Sequence, residues 1–261
     1  MNTRNSPRDF YARPLCVSSF LGLFMGIFML MTLAAPSAHA VNLLVYYNFN
    51  NIPDNTPPPY SSVAPGVTGI QLTNTASSGH SIFPGGNLEV DSNVGTTVNQ
   101  ASGDLSGAGG SLDARGNDST TGGAYCFTIG PFSTAGQLSV NLSFALMSTG
   151  SGGFDQINLL YSTNGTLFTN FGTITSVRNI TTFTMEAFTL PAGASNQPTL
   201  FIEFCFSGTK NNDTHNNTYI DNIQITGVPE PGTVIGGALG VLGLCLSQRR
   251  WLVRSLRLRR T

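Results

Sequence analysis

The chain has 261 residues, 40% of them hydrophobic and only 10% charged, with a formal net charge of −1. That near-neutrality hides an uneven distribution: three arginines precede residue 41, six follow residue 248, and residues 41–227 hold Arg115, Arg178 and Lys210 against eleven acidic residues, a net −8. An acidic stretch without a basic cluster argues against nucleic acid as a partner, because neutralising phosphates requires grouped Lys and Arg.

In chain order, residues 1–14 carry Arg4, Arg8 and Arg13, and an apolar run covers residues 15–33. Ala34-Ala35-Pro36 and the small-residue motif Ala38-His39-Ala40 follow. A positive, then apolar, then A-x-A order is that of a cleaved secretory signal peptide, so residues 1–40 are read as a signal for the Sec export machinery. Cleavage is expected after Ala40, which makes Val41 the mature N-terminus. The apolar run approaches the length of a bilayer span, so a retained anchor is the alternative; Pro36 and the A-x-A site favour cleavage.

Residues 41–227 show no helical periodicity. Short apolar runs separated by turn residues predict strands at 43–49, 67–72, 125–129, 137–147, 154–162, 168–174, 182–189, 199–207 and 219–226. Alternation is clearest at Leu138, Val140, Leu142, Phe144 and Leu146, and at Leu200, Ile202, Phe204 and Phe206. Residues two apart share one face of a strand, so Phe201, Glu203 and Cys205 fall on the opposite, solvent-facing side. Asn164-Gly165 is a hairpin signal. Residues 101–123, rich in Gly, Ser and Asp, have too little apolar surface to pack and read as a long surface loop. The expected fold class is all-β: one antiparallel sandwich at residues 41–227, flanked by a signal helix and a C-terminal transmembrane helix.

Tyr161-Ser162-Thr163-Asn164-Gly165 and Tyr219-Ile220-Asp221-Asn222-Ile223, with the strand order around them, resemble extracellular jelly rolls of the galactose-binding-like and carbohydrate-binding-module kind. The likeness covers residues 120–226 and implies no particular ligand. Tyr46, Tyr47, Tyr60, Tyr125, Tyr161 and Tyr219 are candidates for a sugar-stacking platform, whereas most of the seventeen Phe should fill the core.

Candidate sites in this segment are few. Cys16 leaves with the signal and Cys245 lies in the tail, so Cys126 and Cys205 remain in the exported part, where a disulfide persists if their Cα atoms come within about 7 Å. Unpaired, they would pack as small apolar residues. The two cysteines with His80 and His215 form no zinc spacing. Calcium requires only oxygen ligands, which Asn211-Asn212-Asp213, Asp221-Asn222, Asp113 and Asp118 could supply. Such residues more often cap turns, and no cofactor is expected. Glycoside hydrolysis would need two carboxylates about 5–10 Å apart. Glu89, Glu186 and Glu203 are the glutamates at hand, with no G-x-S-x-G, P-loop or H-E-x-x-H motif beside them. An enzyme is not expected.

Residues 228–261 open with Val228-Pro229-Glu230-Pro231, where proline should stop a strand and start a helix. An apolar, Gly-rich run over residues 234–246 follows, and then Arg249, Arg250, Arg254 and three further arginines. A helix over about residues 232–248 spans about 25 Å, and basic residues beyond it fix that end in the cytoplasm and the preceding domain outside. The three parts together resemble the PEP-CTERM sorting tail of exported bacterial proteins. That resemblance implies an exosortase-type sorting enzyme as partner, cleavage near Pro-Glu-Pro, and passage from a membrane-anchored state to the cell surface or exopolysaccharide matrix. A plain single-pass anchor would not need the prolines, and a GPI signal would not end in arginine. The functional expectation is a non-catalytic, surface-sorted protein associated with extracellular polysaccharide. A polysaccharide-active enzyme or a protein-binding adhesin on the same anchor are the alternatives.

Overall fold

The computed structural model describes residues 41–63, 70–78, 80–85, 87–115, 124–149, 154–208 and 217–230. The expected signal peptide at 1–40, the expected tail helix, the arginine cluster, His215, Asp118 and Asn211-Asn212-Asp213 lie outside the described residues. Among the described residues, no helix is long and apolar enough to cross a membrane.

Strand is the dominant element of the described chain, and the helices among the described residues are two three-residue 3-10 turns, Val177–Asn179 and Ala192–Ala194. In order the strands are β1 (Asn42–Tyr47), β2 (Tyr60–Ser61), β3 (Gln71–Thr73), β4 (Ser81–Ile82), β5 (Leu88–Asp91), β6 (Ser111–Arg115) and β7 (Tyr125–Phe132). Then come β8 (Gln137–Ser148), β9 (Gln156–Ser162), β10 (Thr169–Thr175), β11 (Thr184–Thr189), β12 (Leu200–Ser207) and β13 (Asn217–Pro229). Two sheets form. The first runs β11-β8-β13-β6-β5, with β1 also on β13; the second runs β10-β9-β12-β7-β3-β2, with β4 on β7. All pairings are antiparallel except the two-residue β4–β7 bridge.

Alternation places one face of each sheet in a shared core. Val140, Leu142, Phe144 and Leu146 of β8 and Ile220, Ile223 and Ile225 of β13 meet Phe127, Ile129, Ile202, Phe204 and Phe206 of the second sheet. Phe204 joins the layers: its ring stacks on Phe127 at 4.7 Å and meets Phe144 edge-on at 5.2 Å. Such pairs add about 0.5–1.5 kcal/mol to what burial contributes.

β13 is the organising strand. Asn217–Ile220 pair with β6 and Ile223–Gly227 with β1 on one edge, while β8 lines the other. The change of neighbour falls at a bulge, where the β8 register shifts between Asp221 and Gln224 and Asn222 takes φ 49°. Asn tolerates that left-handed conformation better than most residues. The sequence carries this bulge as a skipped beat, Ile220 to Ile223, in an otherwise two-residue alternation.

Four expectations change. Leu138 has the right parity but is 56% exposed, because the β8–β13 register shifts again at Val228/Pro229, beside it. β13 does not stop at residue 226; it reaches Pro229, which pairs with Gln137 as the terminal residue of the strand, and Glu230 N–H still donates to Gly136 O. Proline is allowed there because the last position needs no further ladder donor. Residues 101–123 are not one open loop. Ser111–Arg115 form β6, with Leu112 and Ala114 in the core, and Gly109 and Gly110 just before it are packing glycines: a Cβ on Gly110 would press on the Phe49 carbonyl oxygen at 2.9 Å. Glu203 does not face solvent; it is fully buried, because residues 74–80 cross that part of the second sheet.

Candidate ligand-binding groove

β1 turns Tyr46 away from the core, onto the outer face of the first sheet, where the β5–β6 connection covers it. The bulge in β13 aims Asn222 at the same place. The Tyr46 hydroxyl lies 2.7 Å from Asp104 Oδ2 and 2.8 Å from Asn222 Oδ1, one proton facing two acceptors. Asn222 Nδ2 donates to the carbonyls of Thr96 and Val98, and Asp221 Oδ2 accepts from Thr96 N–H at 2.9 Å. Asp221 and Asn222 therefore act as a clasp that fastens the connection to the sheet. Burial pushes the Asp221 carboxyl up to about 7, against the opposing hydrogen bonds from Thr96 and Asn222.

At the rim of the clasp the chain leaves a cavity of about 260 Å³, lined by Leu43, Tyr46, Asn48, Val63, Ala101 and residues 102–104. Burial alone would raise the Asp104 carboxyl. Hydrogen bonds from Ser106, Asn48 and Tyr46 outweigh it and hold the group well below the usual carboxylate range. Asp104 is thus a fixed anion at the cavity wall, gripping Asn48 Nδ2 at 2.9 Å. A second cavity of about 310 Å³, walled by Tyr47, Phe49, Ile52, Thr56 and Tyr60 among others, shares Asn48 and Val63 with the first. The two adjoin at Asn48 and Val63, and this candidate recess has aliphatic and aromatic walls with hydroxyl, amide and carboxylate groups among its lining residues. No Lys or Arg is among the described lining residues, so the recess repels anionic ligands and suits neutral, hydroxyl-bearing ones.

The remaining carboxylates are engaged elsewhere. Arg115 bridges Glu89 and Asp113, its Nε 2.7 Å from Asp113 Oδ2. Burial pushes Asp113 up to about 7 despite that cation. Glu203 accepts from Ser77 N–H at 2.6 Å and from Ser77 Oγ at 2.7 Å. Beside it Cys126 and Cys205, directly opposed on β7 and β12 with Cα atoms 4.2 Å apart, are joined by a disulfide. Glu186 is separate from both groups, on edge strand β11. Of the proposed calcium ligands, Asp113 binds Arg115 and Asn217 while Asp221 and Asn222 bind the β5–β6 connection.

No family model matches this chain. No curated protein matches it either. Among solved structures it is similar to the K2 cleaved adhesin domain of Lys-gingipain, at 13% identity and a TM-score of 0.42, over 71% of this chain and 99% of that one. It is also similar to the module CBM27-1 of Caldicellulosiruptor saccharolyticus, solved with mannohexaose, at 13% identity and a TM-score of 0.39, over 59% of this chain and 88% of that one. A third is TmCBM61, solved with β-1,4-galactotriose, at 11% identity and a TM-score of 0.34, over 53% of this chain and 81% of that one. Similarity at that level says nothing about what this chain binds.

The tyrosine platform is corrected. Tyr46, Tyr47, Tyr60, Tyr125 and Tyr219 are each less than 5% exposed, and Tyr161 packs against Phe171 at the edge of the core. Their rings are core or clasp, and of the six only Tyr46, Tyr47 and Tyr60 are among the described lining residues of the two cavities. Asp104 and Asn48 went unnoticed in the sequence because nothing local marks them: 56 residues separate the two. Of the expected sorting motif, Val228 and Pro229 end β13 and Glu230 follows it, while Pro231 lies outside the described residues.

Proposed function

We propose that the chain is an exported, surface-sorted, non-catalytic protein whose sandwich holds a neutral polysaccharide of the extracellular matrix. The recess over Tyr46, Asn48 and Asp104 carries this reading: it pairs apolar walls with fixed hydrogen-bonding groups and has an anionic wall. Polymers of uronic acids or sulfated sugars are disfavoured by Asp104 and by the net −8 of residues 41–227. Glu89, Asp104, Asp113, Glu203 and Asp221 are engaged in hydrogen bonds and ion pairs within the fold, which favours retention of the polymer over its cleavage. The signal peptide and the Pro-Glu-Pro tail supply the address in this proposal, through the Sec machinery and an exosortase-type enzyme.

The test is a glycan array with a parallel hydrolysis assay on the purified exported chain. Binding to neutral glycans without turnover is expected. Val63 is 53% exposed at the junction of the two cavities, so Val63→Trp should obstruct the recess without unfolding the protein. Binding should weaken at least about tenfold, equivalent to about 1.4 kcal/mol. Turnover of any glycan, or binding indifferent to Val63→Trp, would sink the proposal.

A further inference from the structure

The outer face of the second sheet holds four metal-ligating side chains in one place. His80, Cys126, Glu203 and Cys205 each offer one ligand atom, and those atoms all lie within 4.8 Å of one another. His80 Nδ1 is 3.4 Å from Cys205 Sγ and 3.5 Å from Glu203 Oε2. Tetrahedral zinc, with bonds of about 2.3 Å to sulfur and about 2.0–2.1 Å to nitrogen and oxygen, separates sulfur from nitrogen by about 3.5 Å and oxygen from nitrogen by about 3.4 Å. Those two edges already have the spacing of a zinc site. The other non-bonded edges lie within 4.8 Å, and the sulfurs must part to about 3.8 Å, both of which rotation about the Cα–Cβ bonds adjusts once the disulfide is open.

The surroundings point the same way. Glu203 is fully buried and its hydrogen bonds come from Ser77, a neutral residue. His80, by contrast, has a side chain 30% exposed and gives an ion access from solvent. Below the cysteines, Leu160 and Phe168 form an apolar floor, which strengthens any charge interaction above it.

We propose that this cluster is a zinc site of the reduced protein, mutually exclusive with the Cys126–Cys205 disulfide. A dithiol reductant donates two electrons and two protons, leaving as its own disulfide, and Cys126 and Cys205 become thiols. Zinc then displaces both thiol protons and takes two thiolates, the imidazole and the Glu203 carboxylate. Thiolate ligands select zinc over calcium and magnesium. The site does not depend on what the recess over Asp104 binds.

The experiment titrates the full-length chain with zinc before and after reduction by a phosphine, with a chromophoric chelator as competitor. One equivalent should bind to the reduced chain and none to the oxidised chain. Cobalt(II) in place of zinc should show the thiolate charge-transfer absorption of a tetrahedral sulfur site. His80→Ala, a change at the exposed rim, should weaken binding at least about tenfold, and a tenfold excess of calcium should not compete. Equal zinc binding by both redox forms, cobalt without thiolate absorption, or affinity unmoved by His80→Ala would overturn the proposal. So would loss of β-sheet circular dichroism on reduction that zinc does not restore.

Discussion

Asp113 and Asp221 have no solvent exposure at all, and burial raises both carboxyls to about 7. In the unfolded chain an aspartate titrates near 3.9. Each group therefore contributes stability that is fully present below about pH 4 and lost as pH rises through about 7. Asp104 works in the opposite sense, because its carboxyl is depressed: its contribution is present above about pH 4 and disappears in stronger acid. Thermal unfolding followed from pH 4 to pH 7 should show this decline, and Asp221→Asn and Asp113→Asn should each flatten it. A slope unchanged in both variants would mean that neither carboxyl holds its proton in the fold. Asn222 makes the sharper test of the clasp. Asn222→Ala removes one of the two acceptors facing the Tyr46 hydroxyl and both carbonyl contacts to Thr96 and Val98. Urea denaturation should register a loss of roughly 2–4 kcal/mol, since several buried polar groups lose their partners together.

Between strands, alternation set most of what could be read in advance. Leu200, Ile202, Phe204 and Phe206 face the core as their spacing requires, and Asn164-Gly165 does sit between paired strands β9 and β10. Its connection is wider than a two-residue turn; Asn164 Oδ1 organises it by accepting from the N–H groups of Thr166 and Leu167. The strands that escaped the reading are β2, β4, β5 and β6, of two to five residues. A strand that short has at most two inward residues, too few to make a period. The disulfide is the strongest element-level constraint, because it joins β7 to β12 across a sequence separation of 79 residues. Replacing both cysteines by serine should cost about 2–5 kcal/mol under oxidising conditions, measured as a shift in the denaturation midpoint at constant slope. Wild-type protein in reductant should fall by a similar amount.

On the scale of the whole molecule, the sandwich runs directly into the proposed sorting motif: β13 carries Val228 and Pro229, and Glu230 is still hydrogen-bonded to Gly136. The proposed motif thus begins on the central strand itself, at Val228. Replacing Pro229, Glu230 and Pro231 with alanine should leave the sandwich within about 0.5 kcal/mol of wild type, since the core residues of β13 end at Ile225. Processing in the cell should stop. Mass spectrometry of the mature chain checks this, and a product unchanged in size and location would favour a plain membrane anchor.

The sequence by itself determined the all-β class, the sense of most long strands and the expectation of export, because each follows from a local pattern: alternation, or the order of charge and apolar runs. Tertiary structure alone decided where polar residues would go. Glu203 and Asp221 occupy positions that alternation assigns to solvent, and both are buried because distant segments, residues 74–80 and the β5–β6 connection, fold across them. Tyr46, Asn48 and Asp104 become one wall in the same way, and so do His80 and the cysteine pair. Contacts of that kind depend on chain segments 50 or more residues apart, and no local periodicity records them.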